Sequence, residues 1–254
     1  MRLKRNLKPQ FLNQINKTSN IKETMSIEKK LLRGTFTLLL VLLLLLWGSI
    51  PSIVLHVLGI DAEGLSDAVR ILISFINDML FILLLILIYY KTIKNDFVKY
   101  FNHNFFDNLK KTLFYWSLGL CCMVVGNYIV TFVLNGQLAE NEEAIRSMFQ
   151  LHPFYMAFNI VIYAPITEEL IFRKSIKDAS SSKWGFILAS GLIFGSLHVI
   201  TSITDLISLL HLLPYCSLGI ALSWLYHDSD NIFSTITAHF IHNTMALFVY
   251  LLTL

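Results

Sequence analysis

Residues 35–58 read TFTLLLVLLLLLWGSIPSIVLHVL, without a single Asp, Glu, Lys or Arg. A helix needs about 20 mostly apolar residues to cross a hydrocarbon core of roughly 30 Å, and this run is long enough. It is also too long and too Leu-rich for a secretory leader, lacks a small-residue cleavage site, and follows basic sequence, so it reads as a retained span. Comparable runs recur at Val69–Tyr90, Thr112–Leu134 and Ile232–Leu252. Three more, Phe154–Phe172, Trp184–Ile200 and Leu206–Tyr226, are interrupted by polar residues. The composition agrees: 55% of the 254 residues are hydrophobic, 15% are charged, and the mean hydropathy is +0.62. Soluble domains carry about 25% charged residues. A soluble enzyme, a disordered regulator and a nucleic-acid-binding module are excluded. The expected fold is all-α, a polytopic transmembrane bundle of about seven spans.

The connections alternate in charge. Residues 1–33 form a basic tail running from Arg2 to Arg33, and Gly59–Ala68 is acidic. Lys91, Lys94, Lys99, Lys110 and Lys111 follow, then Glu140, Glu142 and Glu143, then Arg173, Lys174, Lys177 and Lys183. Cytoplasmic loops are rich in Lys and Arg, which predicts a cytoplasmic N-terminus in a multi-pass membrane protein. The tail reads as a topology signal in contact with anionic lipid, not a nucleic-acid arm. Met25 opens an alternative start. Cys121, Cys122 and Cys216 form no CxxC pair, so neither a disulfide framework nor a thiolate zinc site is expected.

Ionisable side chains inside a span are expensive and mark functional sites by default. The first three spans, within residues 34–153, hold few of them, and Asp78 and His56 stand alone and read as structural. Residues 154–254 differ. Glu169 and Arg173 are spaced i, i+4 and can pair on one helix face, whereas Glu168 is rotated about 100° from Glu169. Pro165 removes a donor and frees the carbonyl of Val161, predicting a kink near Glu168. Gly191 and Gly195 make a small-xxx-small face that invites close helix approach. Phe194 and His198, and His239 and Asn243, repeat the i, i+4 spacing. His211 has no partner at helical spacing and reads as structural.

Glu168-Glu169-x-x-x-Arg173, Phe194-x-x-x-His198 and His239-x-x-x-Asn243, in this order within apolar helices, resemble the CPBP intramembrane protease family. That family includes the type II CAAX prenyl proteases and bacterial relatives tied to bacteriocin immunity and peptide maturation. The resemblance implies an intramembrane endopeptidase whose catalytic core is the last four spans. It implies that Glu168 and His198 activate water, that His239 and Asn243 stabilise the oxyanion, and that Glu169 and Arg173 support them. The expected partners are a peptide or membrane-protein substrate and the bilayer. The family carries a metalloprotease label, and the sequence itself fixes no cofactor. A divalent metal such as zinc would take Glu168, His198 and His239, but the same groups also act directly on water, and both readings stay open. A non-catalytic scaffold or regulator in a signalling or bacteriocin-immunity system is the competing class, and an ion-coupled transporter a third.

Depth sets one constraint. A fifth span beginning at Trp184 puts His198 about 21 Å from the inner face, too deep to meet Glu168 and His239. The expectation is therefore that Lys174–Phe186 lies along the cytoplasmic surface, with the span starting near Leu188 and Thr201–Thr204 forming the outer turn.

Overall fold

The computed structural model describes residues 7–102, 105–135, 139–203 and 205–253, with side chains from residue 27 onward. Arg2, Lys4, Arg5 and Thr204 lie outside the described residues. Among those described there is no strand, and seven helices are long and apolar enough to cross a membrane. The protein is an all-α, multi-pass membrane bundle.

Helix α1 (Leu7–Trp47) contributes the first span over Ile27–Trp47, eleven residues short of the sequence expectation at its C-terminal end. Pro51 is the cause. A proline clashes with the carbonyl four residues back and cannot donate to it, and that residue is Trp47. The chain turns at Gly48 and Ser49 and restarts as α2 (Ile50–Val57). Helices α3 (Asp67–Ile88) and α5 (Phe105–Val133) are the second and third spans. The basic connection between them is not a loop but a further helix, α4 (Tyr90–Asn102). The acidic connection is likewise helical, as α6 (Glu140–Leu151).

The fourth span, α7 (Pro153–Ala179), is irregular, with π-helical turns at Asn159–Tyr163 and Glu169–Ser175. Helices α8 (Lys183–Val199), α9 (Leu212–Ser229) and α10 (Ile232–Leu252) complete the bundle. Helix α9 is central. A Cβ on Gly191 would fall 2.7 Å from the Ile220 nitrogen, and one on Gly195 would fall 2.9 Å from that of Cys216. Only glycine lets the α8 and α9 backbones cross at this distance. On the other side of α9, a Cβ on Gly119 of α5 would fall 2.7 Å from the Ala221 Cβ.

The basic connections gather at one end of the bundle. Arg33 reaches the Asp178 carbonyl at 3.2 Å, Lys177 pairs with Asp230 at 2.7 Å, and Lys183 approaches Asp228 at 3.5 Å. Acidic α6 meets the far end of α8, where the Glu140 N–H donates to Ser202 Oγ at 2.8 Å.

Candidate active site

The expected surface segment Lys174–Phe186 is not what the structure contains. Helix α7 continues to Ala179, a short turn follows, and α8 starts at Lys183. Yet His198 does reach the other groups, because they also lie deep. Glu168 stands eleven residues before the end of α7, about 16 Å at helical rise. The start of α10 is itself sunk into the bundle, with Asn231 and Ile232 buried beneath α4. There Asp96 Oδ2 accepts the Ile232 N–H at 2.9 Å, and Asn231 Nδ2 donates to the Asp96 carbonyl at 2.9 Å. The span ends do not share one plane, so counting residues from them misplaced the site.

Glu168, His198 and His239 converge. Oε2 of Glu168 lies 4.0 Å from Nε2 of His198 and 3.9 Å from Nε2 of His239. That oxygen is buried and has no hydrogen-bond partner among the described residues. Both distances exceed a hydrogen bond. The tautomers follow from the opposite ring nitrogens. Nδ1 of His198 is 2.8 Å from the Phe194 carbonyl, which can only accept, so Nδ1 carries the proton. Nδ1 of His239 is 2.9 Å from Oε1 of Glu169, and the same logic applies. Each imidazole therefore turns its Nε2 toward Glu168. The His198 ring is packed between Phe194, at 4.4 Å, and Tyr215, at 5.2 Å.

Glu169 and Arg173 are completely buried, with Nε 3.0 Å from Oε2. Arg173 Nη1 donates to Ser190 Oγ at 3.0 Å, Ser190 donates to the Phe172 carbonyl at 2.7 Å, and Ser223 Oγ stands 2.8 Å from Ser190 Oγ. The guanidinium also covers the Phe194 ring at 4.8 Å. A buried arginine inside three helices is not a topology anchor. The pair holds His239, a link the i, i+4 pattern within each helix did not reveal.

Asn243 occupies a different place. Its Nδ2 donates to the Ile160 carbonyl at 2.7 Å, one helical turn from His239. In the π register the Ala164 N–H bonds to Asn159, so the next bond would run from residue 165 to Ile160. Pro165 has no N–H. The carbonyl stripped of its backbone partner is that of Ile160, where the sequence had pointed to Val161, and Asn243 supplies the missing donor.

Asp78 also departs from expectation. It does not stand alone: Oδ2 accepts from the Tyr155 hydroxyl at 2.8 Å and from Asn159 Nδ2 at 3.2 Å. His211 is buried at the turn preceding α9, and His56 is exposed.

The metal reading finds little support in the donor geometry. Among the described residues no group of three or more His, Cys, Asp or Glu side chains is placed to hold a metal ion. Glu168 faces the two histidines across about 4 Å, somewhat wider than the roughly 3.3 Å between donors that share a tetrahedral zinc.

Residues 150–245 match the family described as type II CAAX prenyl endopeptidase Rce1-like. The chain is 34% identical over 119 residues to the "Putative membrane peptidase YdiL" of Bacillus subtilis (strain 168), covering 46% of this chain and 45% of that protein. It therefore spans under half of that relative's length. It is also 27% identical over 172 residues to the "UPF0177 protein YxdF" of Lactococcus lactis subsp. lactis (strain IL1403), covering 65% of this chain and 89% of that protein. No solved structure matches the chain. The matched segment holds Glu168, Glu169, Arg173, His198, His239 and Asn243 together, and over residues 150–245 this chain is similar to the Rce1-like family.

Proposed function

We propose that the protein is an intramembrane endopeptidase that hydrolyses a peptide bond of a membrane-associated peptide or protein. The observation that carries this reading is the buried Oε2 of Glu168, unpartnered among the described residues and faced by two imidazole Nε2 atoms. A scaffold gains nothing from an uncompensated carboxylate oxygen in a span, whereas hydrolysis needs a base beside an ordered electrophile. In this mechanism a water between Glu168 and His198 loses a proton to the carboxylate as its oxygen attacks the scissile carbonyl. His239, held by Glu169 at Nδ1, enters the step with a solvent-derived proton already on Nε2, donates that N–H to the tetrahedral oxyanion and keeps it when the intermediate collapses. Asn243 adds its second amide hydrogen from one turn away. Collapse of the intermediate moves the proton held on Glu168 to the leaving amine.

The clustering of basic connections at the Lys183 end supports a cytoplasmic assignment for that end, with α6 outside. Reporter fusions after Lys183 and at Glu142 test the orientation. The function itself is tested by comparing the peptides of cells expressing wild type and Glu168→Gln. A peptide whose release requires Glu168 is expected, and identical peptide sets would refute the protease reading.

A further inference from the structure

The first three spans lie outside the family-matched segment, yet one of them reaches the fourth at a chemically specific point. Asp78, midway along α3, is 6% exposed. A carboxyl group at this depth is expensive and calls for a physical reason. Packing does not supply it. Helix α3 is already joined to α7 by Phe75 against Phe158, at 4.8 Å, and by Phe81 near Tyr163, at 6.3 Å.

What Asp78 holds is the entry to the first π-helical turn. Tyr155 precedes that turn and Asn159 begins it, and both donate to the same carboxyl oxygen. From the opposite side, Asn243 of α10 fills the Ile160 carbonyl within the turn. A π turn carries one residue more than the α-helix would. If it relaxed to α geometry, everything downstream would rotate about 100° and shift about 1.5 Å relative to everything upstream. Glu168 lies five residues beyond the turn. Such a rotation would carry its carboxylate away from His198 and His239.

We infer that Asp78, through Tyr155 and Asn159, is a positioning residue that fixes the π turn of α7 and thereby the angle at which Glu168 faces the two histidines. This rests on the endopeptidase reading above. The acceptor, not the charge, performs the task, since two neutral donors point at one oxygen. The N-terminal spans then contribute to catalysis without touching the reacting groups.

The test uses the full-length protein in liposomes and the peptide whose release is lost in Glu168→Gln. Asp78→Leu, which removes the acceptor while keeping the γ-branched shape, should lower kcat about 10- to 100-fold, the scale of a misplaced reactive group. KM should stay within about twofold, because a positioning defect acts on the transition state. The kcat is taken per folded protein, since Tyr155 and Asn159 lose their acceptor and some stability goes with it. Asp78→Asn keeps an acceptor for both donors and should restore kcat to within about threefold of wild type. If Asp78→Leu does not accumulate, Tyr155→Phe removes the shorter bond and carries the same expectation. An unchanged kcat per folded protein, a rise in KM alone, or an Asp78→Asn as impaired as Asp78→Leu overturns the inference. An active Glu168→Gln would instead overturn the endopeptidase reading.

Discussion

Oε1 of Glu169 sits 2.9 Å from Nδ1 of His239, while Oε2 of the adjacent Glu168 faces Nε2 of the same ring at 3.9 Å. Two consecutive glutamates thus bracket one imidazole, and their surroundings are opposite. Glu169 is fully buried and paired with Arg173 as well. Glu168 has a free oxygen among the described residues. Glu168→Gln should therefore abolish turnover, by about 10²- to 10⁴-fold, while folding as well as wild type or better. Glu169→Gln should do the reverse first, losing stability because Arg173 is left without its counter-charge, a break worth about 3–5 kcal/mol. Melting in detergent and turnover, measured on both variants, separate the two roles. Equal melting losses would refute the distinction.

Arg173→Ala leaves the fully buried Glu169 carboxylate uncompensated, so accumulation should fall strongly and activity should fall with it. Arg173→Lys should recover only part. A lysine can meet Glu169, but not Glu169, Ser190 Oγ and the Phe194 ring together as the planar guanidinium does. Full recovery by lysine would show that charge alone is needed.

Helix number was legible because spans are written as long, mostly apolar runs, and ionisable groups stand out within them. That contrast brought Glu168, His198 and His239 into view, and the resemblance suggested their roles. Their mutual depth could not. Residue counting assumes straight α-helices starting at one plane, whereas α7 contains two π turns and α10 begins beneath α4. The partners of Asp78 were hidden for a related reason. Tyr155 and Asn159 are unremarkable in a span, and only the packing of α3 on α7 shows that they converge. The Glu169–His239 contact joins helices 70 positions apart, and no local periodicity encodes it.

The donor geometry makes a prediction about metal. With no trio of His, Cys, Asp or Glu side chains among the described residues placed to hold an ion, turnover should survive prolonged chelation. Added zinc should not raise it. Loss of activity on chelation, restored by one specific metal, would show that the three groups close around an ion during the reaction.

The crossing of α8 on α9 should be the least tolerant contact in the bundle. In Gly195→Ala the new methyl meets Cys216 Sγ at under 3 Å and the Cys216 nitrogen at 2.9 Å, so the helices must separate. Overpacking of this kind costs about 1–3 kcal/mol. His198 lies three residues further on α8, so activity should fall beyond the loss of folded protein. Cys216→Ala in the same chain should recover only part of the stability, because it relieves the sulfur contact and leaves the backbone one. Gly34→Ala has open space around it and serves as the silent control.

The last prediction concerns Asp96, which lies between spans on α4 and whose carboxylate caps the sunken start of α10 through the Ile232 N–H. Burial pushes its carboxyl above the usual aspartate range, and this outweighs the opposing effects of the Ile232 N–H and of Lys99. The sign follows from linkage: a group that binds its proton more tightly when folded favours the folded state most below its unfolded pKa. That advantage is lost as pH rises through the raised folded value. Wild-type melting temperature should therefore decline from mildly acidic toward neutral pH by an increment that Asp96→Asn lacks. The asparagine still offers an oxygen to Ile232 without a charge to desolvate, so Asp96→Asn should match or exceed wild type at neutral pH and lose that margin in acid. Asp96→Ala removes the acceptor altogether and should cost about 1 kcal/mol or more at every pH, as the loss of a helix cap does. Parallel melting curves for wild type and Asp96→Asn across the acid range would show that the carboxyl is not the titrating group.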